Sequence, residues 1–176
     1  DGFGWWIRRV EGASARFDAL RLDHFRGFES YWAVPAGSAT AKTGQWEKGP
    51  GMDLLGVLTN WFPQITYIAE DLGILTDDVH RLRDASGLPG MKVLEFAFSG
   101  PDNAYLPHHY TNPNCVCYTG THDNDTALGW YAGASDKEKA FAKTYLGAED
   151  GESARRTLLR VGQTSMAVLF VAQMQD

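Results

Sequence analysis

Short apolar runs alternate repeatedly with stretches of helical patterning along this chain. The runs are Phe17 to Phe25, Ile65 to Leu72, Met91 to Phe98, Cys115 to Gly120 and Met166 to Gln173. Apolar runs of that length, bounded by polar turns, read as strands, and strand–helix alternation predicts βα units with a parallel sheet. Between the second and third runs, Thr76-Asp77-Asp78 supplies a cap and an acidic first turn, Val79, Leu82 and Leu88 follow, and Gly87 is a stop signal. Between the fourth and fifth, Ser135-Asp136-Lys137-Glu138 matches the capping box, in which serine and glutamate each satisfy an N–H that the helix leaves unpaired. A further helix is expected from Glu152, carrying Leu158, Leu159 and Val161.

Four of the five runs end in residues capable of chemistry: Arg21-Leu22-Asp23-His24, Ala69-Glu70-Asp71, Phe98-Ser99-Gly100-Pro101 and Thr121-His122-Asp123-Asn124-Asp125. Ligands of parallel α/β folds bind at the carboxyl ends of the strands, so separate loops are expected to bring these groups to one rim. No low-complexity tract or linker divides the chain, which is expected to be one unit. A closed barrel needs eight strands and typically about 250 residues. The expected fold is therefore α/β, a (β/α)8 TIM barrel present in part. Residues 1–176 would belong to one catalytic barrel domain, with the N-terminal barrel strands lying before Asp1.

Composition narrows the partners. Lys and Arg number 16 against 22 Asp and Glu, a formal charge of −6, which disfavours a nucleic-acid partner. No stretch approaches the roughly 20 apolar residues that span a bilayer, and the amino end lacks the basic start and apolar core of a signal peptide, so no membrane role and a cytoplasmic location are expected. Cys115 and Cys117, two apart on one face of a strand, would be strained as a disulfide and read as reduced and buried. Six Trp, seven Tyr and nine Phe exceed what core packing requires and make flat ligands, sugars among them, plausible.

Strand alternation puts Arg21 and Asp23 on the same face, where the guanidinium favours an ionised, oriented carboxylate suited to a nucleophile; a structural ion pair fits the same residues. Glu70, between apolar strand residues and a turn, suits a general acid, and it also suits a turn acid, although Asp71 fits that duty better. His122 can donate a hydrogen bond to a substrate hydroxyl while Asp123 receives another, and Asp125-Thr126 reads as the cap of the next helix. The ligand spacings of zinc or calcium sites are absent there, and no metal is expected. The carboxylates Asp23, Glu70 and Asp123 lie 47 and 53 residues apart on three candidate strand ends, and paired carboxylates are what glycosidic bond cleavage requires. Trp46, in the glycine-rich stretch Gly44 to Gly51, either stacks on a sugar or packs; that stretch lacks the phosphate-loop pattern. His108-His109 reads as a loop anchor, and Trp5-Trp6 and Tyr31-Trp32 as packing residues.

Arg21-Leu22-Asp23-His24-Phe25-Arg26-Gly27, Ile68-Ala69-Glu70-Asp71-Leu72-Gly73 and Thr119-Gly120-Thr121-His122-Asp123-Asn124-Asp125-Thr126 resemble three signature segments of the 4-α-glucanotransferases, also called amylomaltases or disproportionating enzymes. Trp32-Ala33-Val34-Pro35, Gly44-Gln45-Trp46, Gly49-Pro50-Gly51 and Leu106-Pro107-His108-His109-Tyr110 are similar to that family in the same order. The resemblance implies barrel strands four to eight and transfer of a 1,4-α-glucan segment to glucose or another glucan with retention. It implies no cofactor. Asp23 would be the nucleophile, Glu70 the acid/base and Asp123 the transition-state stabiliser, with Arg21, His24, Trp46 and His122 binding substrate. Maltooligosaccharides or 1,4-α-glucans would be donors, and glucose or glucan the acceptor. An α-amylase-like hydrolase and a non-catalytic glucan-binding barrel fragment stand as alternatives. The full-length protein is expected to disproportionate maltotriose, and these residues alone to be inactive or poorly soluble.

Overall fold

The computed structural model describes residues 2–176. Along the chain run α1 (Gly4–Ser14), β1 (Ala19–Leu22), α2 (Arg26–Glu29), β2 (Ser30–Ala33), β3 (Gln45–Lys48), α3 (Gly51–Trp61), β4 (Thr66–Ala69), α4 (Asp77–Ser86), β5 (Gly90–Val93), β6 (Cys115–Tyr118), α5 (Ala127–Gly133), α6 (Asp136–Leu146), α7 (Gly151–Gln163) and β7 (Leu169–Val171). Each of the five apolar runs thus holds a strand: β1, β4, β5, β6 and β7. The chain divides into two compact units, Asp1–Gly90 and Met91–Asp176.

In the first unit β1 and β4 pair in parallel, with Ala19 opposite Thr66 and Leu22 opposite Ala69. Tyr67, Ile68 and Ala69 are all buried, so β4 is covered on both faces, which is why its sequence is a continuous apolar run rather than an alternation. Helix α3 packs on α1 and on α4. It presents Leu54, Leu55 and Leu58, spaced one and three residues apart, as one apolar face to a core that includes Leu22, Phe25, Phe28 and Val79. Helix α4 ends as expected, with Gly87 in the left-handed region at φ 70°. Thr76 occupies its N-cap, but the threonine side chain makes no capping bond.

Two departures from the all-parallel expectation fall in this unit. Strands β2 and β3 form an antiparallel hairpin, Trp32 opposite Trp46, from short exposed segments without an apolar run to announce them. The glycine-rich stretch, read as a loop, instead supplies β3 and the start of α3. Gly49 is needed there because a Cβ would lie 2.4 Å from the Phe28 carbonyl oxygen.

In the second unit the strand order is β5-β6-β7, with β6 and β7 parallel and Val116 opposite Leu169. The Met91 to Phe98 run stays extended only to Val93 and then coils into a 3-10 segment, Leu94–Ser99. Leu94, Ala97 and Phe98 recur at helical spacing, and the turn buries all three. The capping box of α6 forms as read, with Glu138 N–H donating to Ser135 Oγ and Ser135 N–H donating to Glu138 Oε2. Helix α7 begins one residue before Glu152, capped by Asp150, and buries Leu158. Cys115 and Cys117 are buried thiols.

Candidate active site

The first unit assembles four of the expected site residues at the carboxyl end of the β1/β4 pair. Backbone pairing continues past the strands: Glu70 N–H donates to the Leu22 carbonyl at 3.0 Å, and Phe25 N–H donates to the Glu70 carbonyl at 3.0 Å. Asp23 and Glu70 therefore follow directly on the last register pair, Leu22 and Ala69. The half-buried Glu70 carboxylate is held by main-chain donors on both oxygens. Oε2 accepts from His24 N–H at 2.7 Å, and Oε1 accepts from Leu72 N–H at 3.3 Å. His24 reaches that position with φ 48°, a left-handed conformation uncommon outside glycine.

Asp23 stands in contrast. Its side chain is 77% exposed and takes an ion pair from Arg21 Nη2 at 2.8 Å, as the strand alternation led one to expect. Arg21 and Asp23 border a cavity of about 730 Å³, with Trp5, Arg9, Phe17 and Phe28 also on its wall. That volume lies in the range of small-molecule clefts, about 300–1,000 Å³. Asp71, next in sequence to Glu70, does a different job: it is buried and pairs with Arg83 of α4 at 2.6 Å.

Trp46 lies on the hairpin, 55% exposed, with the Arg26 guanidinium 4.4 Å from its ring centroid and the Trp32 ring edge-on at 5.5 Å. Trp5, Tyr31 and Trp32 are exposed, but Trp5 meets Trp6 edge-on at 5.1 Å and Trp6 packs against the core, in line with the packing role read for that pair.

In the second unit the Thr119 to Thr126 segment closes a tight turn beyond β6. Asn124 Oδ1 accepts from both the N–H and the Oγ1 of Thr121, at 2.9 and 2.8 Å, and Asn124 N–H returns a bond to the Thr121 carbonyl. The turn leaves His122 and Asp123 exposed, 70% and 78%, with Nε2 and Oδ2 3.3 Å apart. Thr126 caps α5, accepting from Gly129 N–H, while Asp125 accepts from Thr126 N–H; the cap is thus the second residue of the Asp125-Thr126 pair. His108 and His109 are loop anchors, on Tyr145 OH and the Pro101 carbonyl. Among the described residues, no group of three or more His, Cys, Asp or Glu side chains is arranged to hold a metal ion.

Sequence patterning did not single out Glu95. It is 6% exposed, and its Oε1 has no hydrogen-bond partner among the described residues. Burial first, then the charges of Asp176 and Asp125, pushes its carboxyl up to about 8. The available signal was a lone acid inside the apolar run Met91 to Phe98.

The parallel strands β1 and β4 thus end in an arginine-paired aspartate and a backbone-held glutamate, at the carboxyl ends where parallel α/β folds bind ligands. The family model for 4-alpha-glucanotransferase matches residues 1–176. A 4-alpha-glucanotransferase of Thermus thermophilus is 48% identical over all of this chain, and one of Streptococcus pneumoniae serotype 4 is 44% identical. An amylomaltase from Streptococcus agalactiae, solved in complex with acarbose, superposes with a TM-score of 0.88 at 34% identity over 99% of this chain. The chain belongs to the 4-alpha-glucanotransferase family, and its α/β fold is similar to that of amylomaltase. It spans 37% and 35% of the two curated relatives and 35% of the solved chain.

Proposed function

We propose that this protein is a 4-α-glucanotransferase that moves a segment of a 1,4-α-D-glucan to the 4-position of glucose or another glucan by a retaining double displacement. The single observation that carries the reading is the pair at the β1/β4 ends, an exposed Asp23 oriented by Arg21 beside a Glu70 whose two oxygens are fixed by main-chain donors. Retention requires a nucleophile and an acid/base about 5–5.5 Å apart on either side of the scissile bond. Asp23, open to the cavity, takes the nucleophile's role; Glu70 protonates the glycosidic oxygen and later deprotonates the incoming hydroxyl. Asp123 and His122 take hydroxyls of the donor sugar, bonds that strengthen as positive charge develops at the anomeric carbon. Arg21, His24 and Trp46 complete the sugar contacts. Maltooligosaccharides are the donors and glucose or glucan the acceptors, a reading supported by the acarbose bound to the Streptococcus agalactiae neighbour. These residues form part of one catalytic (β/α)8 barrel domain, covering roughly strands four to eight, in a cytoplasmic enzyme.

The test is product analysis of maltotriose incubated with the full-length protein. Glucose together with chains longer than three units supports transfer; glucose and maltose alone would make the protein a hydrolase. In the same assay Glu70→Gln should lower kcat by about 10²–10⁴-fold, the contribution typical of general acid–base catalysis. An unchanged kcat would remove Glu70 from the mechanism.

A further inference from the structure

The turn that carries His122 and Asp123 rests on a carboxyl group with no assigned role. Glu95 is the second residue of the 3-10 segment after β5, and its N–H donates to the Thr119 carbonyl at 3.1 Å. The next residue, Gly120, lies against the Glu95 carboxyl: a Cβ built there would stand 2.8 Å from Oε1 and 2.9 Å from Cδ. The same Cβ would stand 2.5 Å from Gln173 Nε2, which donates to the Asp125 carbonyl at 2.9 Å. Glu95 and Gln173 therefore wedge Gly120 from below, at the foot of a turn whose far side is tied by Asn124.

We propose that Glu95 is a positioning residue for the His122–Asp123 turn, its sealed carboxyl propping Gly120 and keeping the turn in shape only while that carboxyl is uncharged. The surroundings explain the requirement. Glu95 forms no ion pair among the described residues, and its buried Oε1 has no hydrogen-bond partner there, so negative charge shared onto that oxygen is uncompensated. The charges that act on it are those of Asp125, on the turn, and Asp176, after β7, and both repel an anion. Asp176 is itself engaged, accepting from Ala127 N–H at 2.8 Å and facing Arg155 of α7. Lys92, on β5, is turned to the rings of Tyr105 and Tyr110. From α6, Phe141 and Tyr145 pack against Phe98 of the 3-10 segment. Burial and the two aspartates hold the group protonated to about pH 8. Above that, the anion puts charge on the buried, unpartnered Oε1 that lies against Gly120, and displacing the turn built on that glycine relieves it.

The consequence for the reaction rests on the reading of Asp123 as the transition-state stabiliser, so the experiment separates the two. Hydrogen exchange of the peptide covering residues 119–126 is measured in the full-length protein at pH 6.5 and pH 9, corrected for intrinsic rate, for the wild type and Glu95→Gln. Wild-type protection should fall by about fivefold or more at pH 9 as the open form gains population, and protection in Glu95→Gln should not change. In parallel, the ratio of kcat for Glu95→Gln to that of the wild type on maltotriose should rise about fivefold over the same interval, because any alkaline loss that does not arise at Glu95 is common to both and cancels. Equal wild-type protection at the two pH values, or the same loss in Glu95→Gln, overturns the inference. The wild-type comparison decides the matter by itself if the variant does not fold. Exchange that follows the expected pattern in a protein that transfers no glucan would sustain the prop and dismiss the glucanotransferase reading.

Discussion

The main-chain N–H of His24 donates to Glu70 Oε2 across 2.7 Å, from a residue twisted to φ 48°. The acid at the end of β4 is thus aimed by the backbone after β1, and that backbone adopts a conformation most side chains resist. Strain of this kind marks a position held by its surroundings for what it places.

The left-handed conformation gives the first prediction. Asn tolerates positive φ and a β-branched residue does not, so His24→Asn should leave stability nearly intact, whereas His24→Val should cost about 1–2 kcal/mol. Thermal midpoints of the full-length variants check this. Similar midpoints for both would mean that the backbone relaxes and that the twist positions nothing.

Adjacent acids should separate cleanly. Asp71→Asn leaves Arg83, whose side chain is 25% exposed, without its buried partner, and should cost about 2–4 kcal/mol, somewhat less than the loss of one member of a fully buried pair. Glu70→Gln should cost far less stability and remove turnover. Denaturant midpoints and maltotriose turnover, measured on both variants, test the division; a stable, inactive Asp71→Asn protein would reverse it.

Helix glycines offer a test of packing against propensity. Alanine in a helix interior gains about 0.5–1 kcal/mol over glycine when its Cβ is unopposed. A Cβ added at Gly56 of α3 would meet nothing within 4 Å, so Gly56→Ala should raise the unfolding temperature. Gly162 of α7 would put a Cβ 2.0 Å from the Phe170 ring, and overpacking there should cost about 1–3 kcal/mol, outweighing the helix gain. Midpoint shifts of the same sign in both variants would show that propensity, and not the contact with Phe170, governs α7.

Glu95 should imprint a pH dependence on stability. Its folded carboxyl titrates near 8 and an unfolded one near 4.5, so between those values the unfolded chain has released a proton that the folded chain retains. Stability contributed by the neutral carboxyl is complete below about pH 4.5 and declines as pH rises toward 8. At about 1.4 kcal/mol per pH unit the decline amounts to a few kcal/mol. Unfolding midpoints at pH 5, 6.5 and 8 should therefore drop more steeply in the wild type than in Glu95→Gln. Parallel slopes would place the titration elsewhere.

Local pattern was enough for the five strands of the apolar runs and for the ends of α4 and α6: an apolar run needs burial wherever it lies, and Ser135 with Glu138 or the left-handed Gly87 closes a helix with its own neighbours. It also placed Arg21 beside Asp23, since alternation along one strand settles which side chains share a face. Only the tertiary structure decided that Glu70 would be clamped by His24 and Leu72, that Asp71 would be spent on Arg83, and that Trp46 would meet Trp32 and Arg26 on a hairpin. Those outcomes depend on the register between segments tens of residues apart, which no local pattern encodes. Glu95 shows the same limit most sharply: the acid is plain in the sequence, but its lack of a partner exists only once Gly120, Gln173 and Asp176 have folded around it.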